Sequence, residues 1–248
     1  MSLVIANGVC KYYGNDEATR VHALWHVDFT IAPGEYIAVM GPSGSGKSTL
    51  LAILGAMSPP SEGVLLVDDI DVYALSQEKR ADFRREYLGF VFQQPQLIPY
   101  LTALENVMLP LVISDVKDKK GLAAQMLEKV NLGDKAKRLP SELSGGEQSR
   151  VAIARAIVND PPMLLADEPV GSLDSKTGSE ILDLFQALHA DGQTIIMVTH
   201  NPESIRDTGR LIQLKDGVIV SDVATEAVLS ASSDVVGTGE RKHSLAHD

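Results

Sequence analysis

The run Gly41-Pro42-Ser43-Gly44-Ser45-Gly46-Lys47-Ser48-Thr49 constrains this chain more than any other stretch of it. It fits G-x-x-x-x-G-K-[ST], and both flanks agree with the motif. The apolar run Tyr36–Met40 reads as a strand before it, and Lys47–Gly55 reads as a helix after it. Glycines let a backbone fold tightly enough for successive N–H groups to point inward at phosphate oxygens. The following helix adds the positive end of its dipole. The motif places Lys47 between a β- and a γ-phosphate, the Ser48 hydroxyl on Mg²⁺, and Thr49 at a further phosphate contact.

Other β-like runs recur at Val27–Ile31, Val64–Val67, Leu88–Phe92, Met163–Ala166, Thr194–Thr199 and Leu211–Leu214. Helix-length segments, Gly146–Asn159 and Lys176–Ala190, lie between several of them. That alternation predicts an α/β fold with a mainly parallel central sheet. The residues up to Ile31, together with Gly63–Asp71, read as a small antiparallel sheet. Ala103–Arg138 has amphipathic helical texture and no strand signal, so a helical subdomain is expected at about 95–158. Residues 1–229 are expected to form one domain. From 230 to 248 large apolar side chains are few, and a mobile tail is expected, including His243 and His247.

Composition excludes several classes. With 248 residues, 44% of them hydrophobic, the chain can bury a substantial core. Its longest apolar runs, such as Val151–Val158, are too short to span a bilayer, and no charged-then-apolar opening is read, so neither a membrane span nor a signal peptide is expected. The one cysteine, Cys10, has no intramolecular disulfide partner, which suits a reducing compartment such as the cytoplasm. A formal net charge of −11 is the wrong balance for tracking phosphate backbones, so no nucleic-acid partner is expected.

A second site is written in Met163-Leu164-Leu165-Ala166-Asp167-Glu168, an apolar strand ending in two acids. Asp167 at the strand's carboxyl end faces the crevice where the phosphate loop lies, placed to hold Mg²⁺. Glu168 is the candidate general base for a water attacking the γ-phosphate. A third element, Leu143-Ser144-Gly145-Gly146-Glu147, opens another helix, with Ser144 as N-cap and two glycines allowing close backbone approach.

The phosphate loop, Ser144-Gly145-Gly146 and LLADEP, in that order, resemble the motifs of the ATP-binding-cassette (ABC) ATPases over roughly nine-tenths of the chain. The resemblance implies a P-loop NTPase core of RecA-like type that hydrolyses ATP with Mg²⁺. It implies that Ser144, Gly145 and Gly146 act on ATP held by a second copy, so that two chains close head-to-tail around two nucleotides. Gln93 resembles the glutamine that senses Mg²⁺ and faces the membrane subunit, with Gln94 adjacent. Ser172-Leu173-Asp174 resembles the D-loop at the dimer interface, and His200 the switch histidine that contacts the γ-phosphate. Tyr13 resembles the aromatic that stacks on adenine, with Tyr12 beside it. One departure is visible: Pro169-Val170-Gly171 stands where the family has Pro-Thr-Gly. The stretch GFVFQQPQLIPYLTALENVMLPL and the Lys176-Thr177-Gly178 run resemble the branch of lipoprotein-releasing, macrolide-exporting and cell-division ATPases. A transmembrane permease is the implied partner, which would hold the chain at the inner face of the cell membrane. The alternative implied by the family is a regulatory cassette that binds ATP to control a partner. Chromosome-structuring and DNA-repair relatives interpose long coiled coils, and no sustained heptad run appears here.

Overall fold

The computed structural model describes residues 2–14, 16 and 19–226. In chain order the elements are β1 (Val4–Tyr13), β2 (Val21–Ile31), β3 (Tyr36–Met40), α1 (Lys47–Leu54), β4 (Glu62–Val67), β5 (Ile70–Asp71), α2 (Gln77–Tyr87) and β6 (Leu88–Val91). Then follow α3 (Ala103–Met108), α4 (Lys119–Lys129), α5 (Gly145–Ile157), β7 (Met163–Asp167), α6 (Ser175–Ala190), β8 (Thr194–Thr199), β9 (Arg210–Lys215) and β10 (Val218–Ala224). The central sheet runs β10-β9-β3-β8-β7-β6, parallel throughout except where β10 returns antiparallel to β9. A second sheet, β2-β1-β4-β5, is antiparallel. The α/β architecture expected from the sequence is therefore the one the chain adopts.

The period-2 alternation of the inner strands explains why two layers form. On β7, Met163 and Leu165 face one apolar cluster and Leu164 and Ala166 the other; on β8, Ile196 and Val198 oppose Ile195 and Met197 in the same way. All eight side chains are buried, as parallel strands covered on both faces require. The first cluster joins the sheet to α1 and to the antiparallel sheet, through Leu50, Ile53, Val9 and Val67. The second joins it to α3, α4, α5 and α6, through Val107, Leu127, Val151 and Phe185. Each fully buried side chain of this size contributes about 1.5–3 kcal/mol relative to exposure.

Two elements were not anticipated. Helix α2 is polar almost throughout, with Phe83 its one buried residue, so it leaves little apolar periodicity to read. Strand β10 lies at the sheet edge with mostly exposed side chains. The run expected at Leu88–Phe92 ends at Val91. The helical insertion is broken rather than continuous, with 3₁₀ turns at Leu109–Leu111, Gly133–Lys135 and Pro140–Glu142. The expected tail from residue 230, with its two histidines, lies outside the described residues.

Candidate active site

Three neighbouring strands end at one level. Met40 pairs with Thr199 and Asp167 with Val198, so Gly41, Glu168 and His200 leave adjacent strand ends of β3, β7 and β8. This is the carboxyl edge of a parallel sheet, where open α/β folds hold their ligands.

The phosphate loop bridges β3 and α1, and its glycines answer to distinct demands. Gly46 has φ +102°, and a Cβ there would overlap the Ala23 carbonyl oxygen. Gly41 is pressed against the Leu214 carbonyl in the same way. Helix α1 differs from the other five α-helices. Ser76, Thr102, Asp118, Ser144 and Asp174 each cap their helix with a side-chain oxygen, whereas α1 begins on Gly46 with no side-chain cap and no acid in its first turn. Its first N–H groups therefore lack a side-chain acceptor, as an anion site needs. Lys47 Nζ turns back to the carbonyl oxygens of Gly41 and Pro42, at 2.8 and 3.0 Å. Ser45 Oγ is buried without a hydrogen-bond partner. An uncapped helix, a lysine held only by loop carbonyls and an orphaned hydroxyl fit a phosphate chain.

Asp167 and Glu168 stand together across this loop. Burial raises the Asp167 carboxyl above its ordinary range, the neighbouring Glu168 charge adds to the rise, and Lys47 opposes it. A divalent cation would offset that cost. Among the described residues no group of three or more His, Cys, Asp or Glu side chains converges to hold a metal alone. A Mg²⁺ here would thus depend on Ser48, Asp167, Gln93 and oxygens of the nucleotide. Glu168 has φ +48°, an uncommon conformation for a non-glycine residue, and its N–H donates to Val198 O at 2.8 Å. That geometry presents its carboxylate to His200: Nδ1 lies 2.7 Å from Oε1, and the His200 N–H donates to Oε2 at 3.3 Å.

Gln93 follows β6. Its carbonyl accepts from Ser172 Oγ at 3.3 Å, and a Cβ on Gly171 would come 3.1 Å from Gln93 Nε2 and 3.6 Å from Glu168 Cβ. The structure thus brings Gln93 beside the acid pair. Tyr12 donates its hydroxyl to Glu62 Oε1 at 2.9 Å and lies 4.5 Å from the Arg20 guanidinium. Tyr13 leaves its ring 50% exposed.

Ser144, Gly145 and Gly146 stand apart from this group. The Ser144 hydroxyl accepts from Glu147 N–H at 3.3 Å and the Glu147 carboxylate accepts from Ser144 N–H at 2.8 Å, a reciprocal cap. Their neighbours are Leu173 and Thr177, whereas Gly41 and Gly46 pack on Ala23, Leu24 and Leu214. Asp174 caps α6, accepting from Thr177 N–H and Oγ1, which holds its carboxyl below the usual range. The substituted Val170 is buried, 3.6 Å from where a Gly178 Cβ would lie.

Sequence reasoning missed three residues that shape the site. Gly217 accepts from Trp25 N–H at 2.8 Å and donates to Ser45 O at 3.1 Å. Its signal was Asp216-Gly217, a hairpin dipeptide, here with φ +49° and +79°. Arg155 donates to Pro95 O and Gln96 O at 2.8 and 2.9 Å without a local signal, and Thr177, read in the sequence only as part of the Lys176-Thr177-Gly178 run, joins α6 to α5.

The profile of the ABC transporter family matches residues 24–171. An uncharacterized ABC transporter ATP-binding protein of Thermotoga maritima is 48% identical over 85% of this chain and 91% of its own length. The macrolide export ATP-binding/permease protein MacB of Rhodopseudomonas palustris is 43% identical over 93% of this chain, which spans 35% of MacB. A dimeric post-hydrolysis structure of the ATP-binding cassette MJ0796, bound to ADP and Pi, superposes with TM-score 0.81 at 42% identity, covering 90% of this chain and 98% of that one. Loop, acid pair, fold and shared sequence agree, and this chain belongs to the ABC transporter family as one of its ATP-hydrolysing cassettes.

Proposed function

We propose that this chain hydrolyses ATP as half of a head-to-tail pair of cassettes and drives a separate membrane-spanning permease, of the export or lipoprotein-release kind. The observation that carries it is the separation of two helix N-termini, the uncapped α1 beside Asp167, Glu168 and His200, and the capped α5 in another neighbourhood. A chain with half a site at each of two places is completed by a second copy in reversed orientation. The dimeric state of the MJ0796 cassette supports that arrangement, and the permease portion named in MacB supports a membrane partner.

Within one half-site, Gly41, Pro42, Ser43, Gly44, Ser45 and Gly46 wrap the phosphates, Lys47 and Thr49 contact their oxygens, and Tyr13 stacks on the base. Ser48, Gln93 and Asp167 would hold Mg²⁺, which when bound would supply charge neutralisation for the phosphate chain. Glu168 orients and polarises the attacking water. Its 2.7 Å partner His200 holds that carboxylate in place and stands ready for the γ-phosphate. Ser144, Gly145 and Gly146 of the partner copy close the site, with Asp174 at the interface. Nucleotide binding favours the closed pair and hydrolysis releases it.

A cleft of about 610 Å³ is lined by Phe90, Phe92, Leu109 and Val112 with Arg84 and Arg155. Its lining includes Gln96, three residues from Gln93, and it is the docking surface proposed for the permease. Among the described residues no helix is long and apolar enough to cross a membrane, in keeping with a partner that does.

Glu168→Gln tests the scheme. Sized in ATP, this variant is expected to be inactive and dimeric, while wild type hydrolyses ATP cooperatively. A variant that stays monomeric in saturating ATP removes the shared site. Tight ATP binding by a wild type without turnover, with or without permease, would favour the regulatory alternative.

A further inference from the structure

Gly145 and Gly146 are adjacent in sequence and unequal in surroundings. A Cβ on Gly145 would sit 3.7 Å from Leu173 Cδ2, an ordinary contact, whereas a Cβ on Gly146 would overlap Thr177 Cγ2. The bare Cα of Gly146 thus receives the Thr177 methyl group. The same side chain uses its hydroxyl elsewhere: Oγ1 donates to Asp174 Oδ2 at 2.7 Å, and the Thr177 N–H donates to Oδ1 at 3.0 Å. One turn further along both helices, Arg150 Nη2 donates to Glu180 Oε2 at 3.2 Å. Leu173, just before α6, on Gly145, then Thr177 on Gly146 and Arg150 with Glu180, are successive contacts from the Asp174 turn and α6 onto α5. Thr177 is the one that touches both the glycine pair and the capping aspartate.

Resting on the shared-site reading above, we propose that Thr177 is a positioning residue: it fastens the Asp174 turn to the N-terminus of α5, so that Ser144–Gly146 and Asp174 meet the partner cassette as one rigid unit. Threonine suits the task because a β-branched side chain is stiff at χ1 and presents its methyl and hydroxyl in fixed, different directions. Valine keeps the methyl and loses the hydroxyl, and serine does the reverse. In Thr177→Val the Asp174 carboxylate loses its hydroxyl donor and keeps backbone N–H donors alone. The freedom it gains must be surrendered each time two cassettes close. A net hydrogen bond is worth roughly three- to tenfold in an equilibrium constant. A symmetric pair contains the contact twice, so the closed dimer should weaken by about ten- to a hundredfold.

The test uses the full chain carrying Glu168→Gln, with and without Thr177→Val. Affinity for a fluorescent ATP analogue is measured on dilute monomer, and the dissociation constant of the ATP-induced dimer by light scattering over protein concentration. The expected result is unchanged nucleotide affinity with the dimer constant raised about ten- to a hundredfold. A dimer constant within about twofold of the parent overturns the proposal, that being the error of such comparisons. So does an equal loss of monomer affinity, which would mean that Thr177 supports the fold at large. A second measurement needs no dimer. Gly146→Ala should lower Tm because its Cβ meets the Thr177 methyl, and adding Thr177→Ser should recover most of that loss. Additive losses overturn the contact itself. If the Glu168→Gln parent fails to dimerise in ATP, the shared site and the tether's role fall together, and the Gly146–Thr177 coupling alone reports whether the two helices are joined as described.

Discussion

Gly44 and Gly46 differ by two positions in one loop, and their replacement by alanine separates backbone conformation from steric overlap. Both have positive φ, +80° and +102°, so either alanine meets a conformational cost of about 1–2 kcal/mol. Around Gly44 nothing lies within 4 Å of the added carbon. At Gly46 the new carbon overlaps the Ala23 carbonyl oxygen and sits 2.9 Å from Leu24 Cδ2. Strand β2 cannot easily retreat, because Trp25 N–H donates to Gly217 O at 2.8 Å and Gly217 N–H donates to Ser45 O at 3.1 Å. Overpacking against such a fixed neighbour adds about 1–3 kcal/mol. In a chain of this size 1 kcal/mol moves Tm by roughly 2–4 °C. Gly44→Ala should therefore lose about 2–8 °C and Gly46→Ala about 4–20 °C. Thermal unfolding followed by circular dichroism, without nucleotide, reads both. Equal losses in the two variants, or a larger loss at Gly44, would refute the steric reasoning.

Two further perturbations follow from the same geometry. Because the Asp167 carboxyl is raised in the folded state, its contribution to stability declines as pH rises from its unfolded pKa through its folded one. Asp167→Asn removes that decline, so the Tm difference, variant minus wild type, should grow across this window and then level; a pH-independent difference measured without nucleotide would argue against it. Arg210 donates to Asp222 at 2.6 and 2.7 Å and to Thr30 O at 2.8 Å, tying the edge of the central sheet to β2. Arg210→Ala should cost about 1–3 kcal/mol in urea unfolding with an unchanged slope, and a cost below 0.5 kcal/mol would mark the network as ornamental.

What could be read from the sequence was what is local. The strand before Gly41, the helix after it and the acids closing β7 each carry their signal within a few residues, and parallel strands buried on both faces read as apolar runs. The Ser144 cap was legible for the same reason, since its partner Glu147 is three residues away. Helix α2 escaped because a surface helix with a single buried Phe83 has no stripe to detect. Tyr12 and Tyr13 are indistinguishable as letters; the Glu62 carboxylate, 50 residues along the chain, occupies the Tyr12 hydroxyl, while Tyr13 stays half exposed with Lys11 Nζ 5.2 Å from its ring centre. The positive φ of Glu168 and the fit of Thr177 on Gly146 depend on neighbours from other elements, which no window along the chain contains.

The late hairpin between β9 and β10 has a consequence for synthesis. Strand β3, which delivers the phosphate loop, pairs only with β8 and β9, and Gly41 and Ser45 rest on Leu214 and Gly217. A growing chain emerges from its amino end, so the nucleotide cradle is specified early and shaped last. Until residue 217 leaves the ribosome, the loop has no floor, and a chain released short of that point would carry every residue of its nucleotide motif without the surface that folds it.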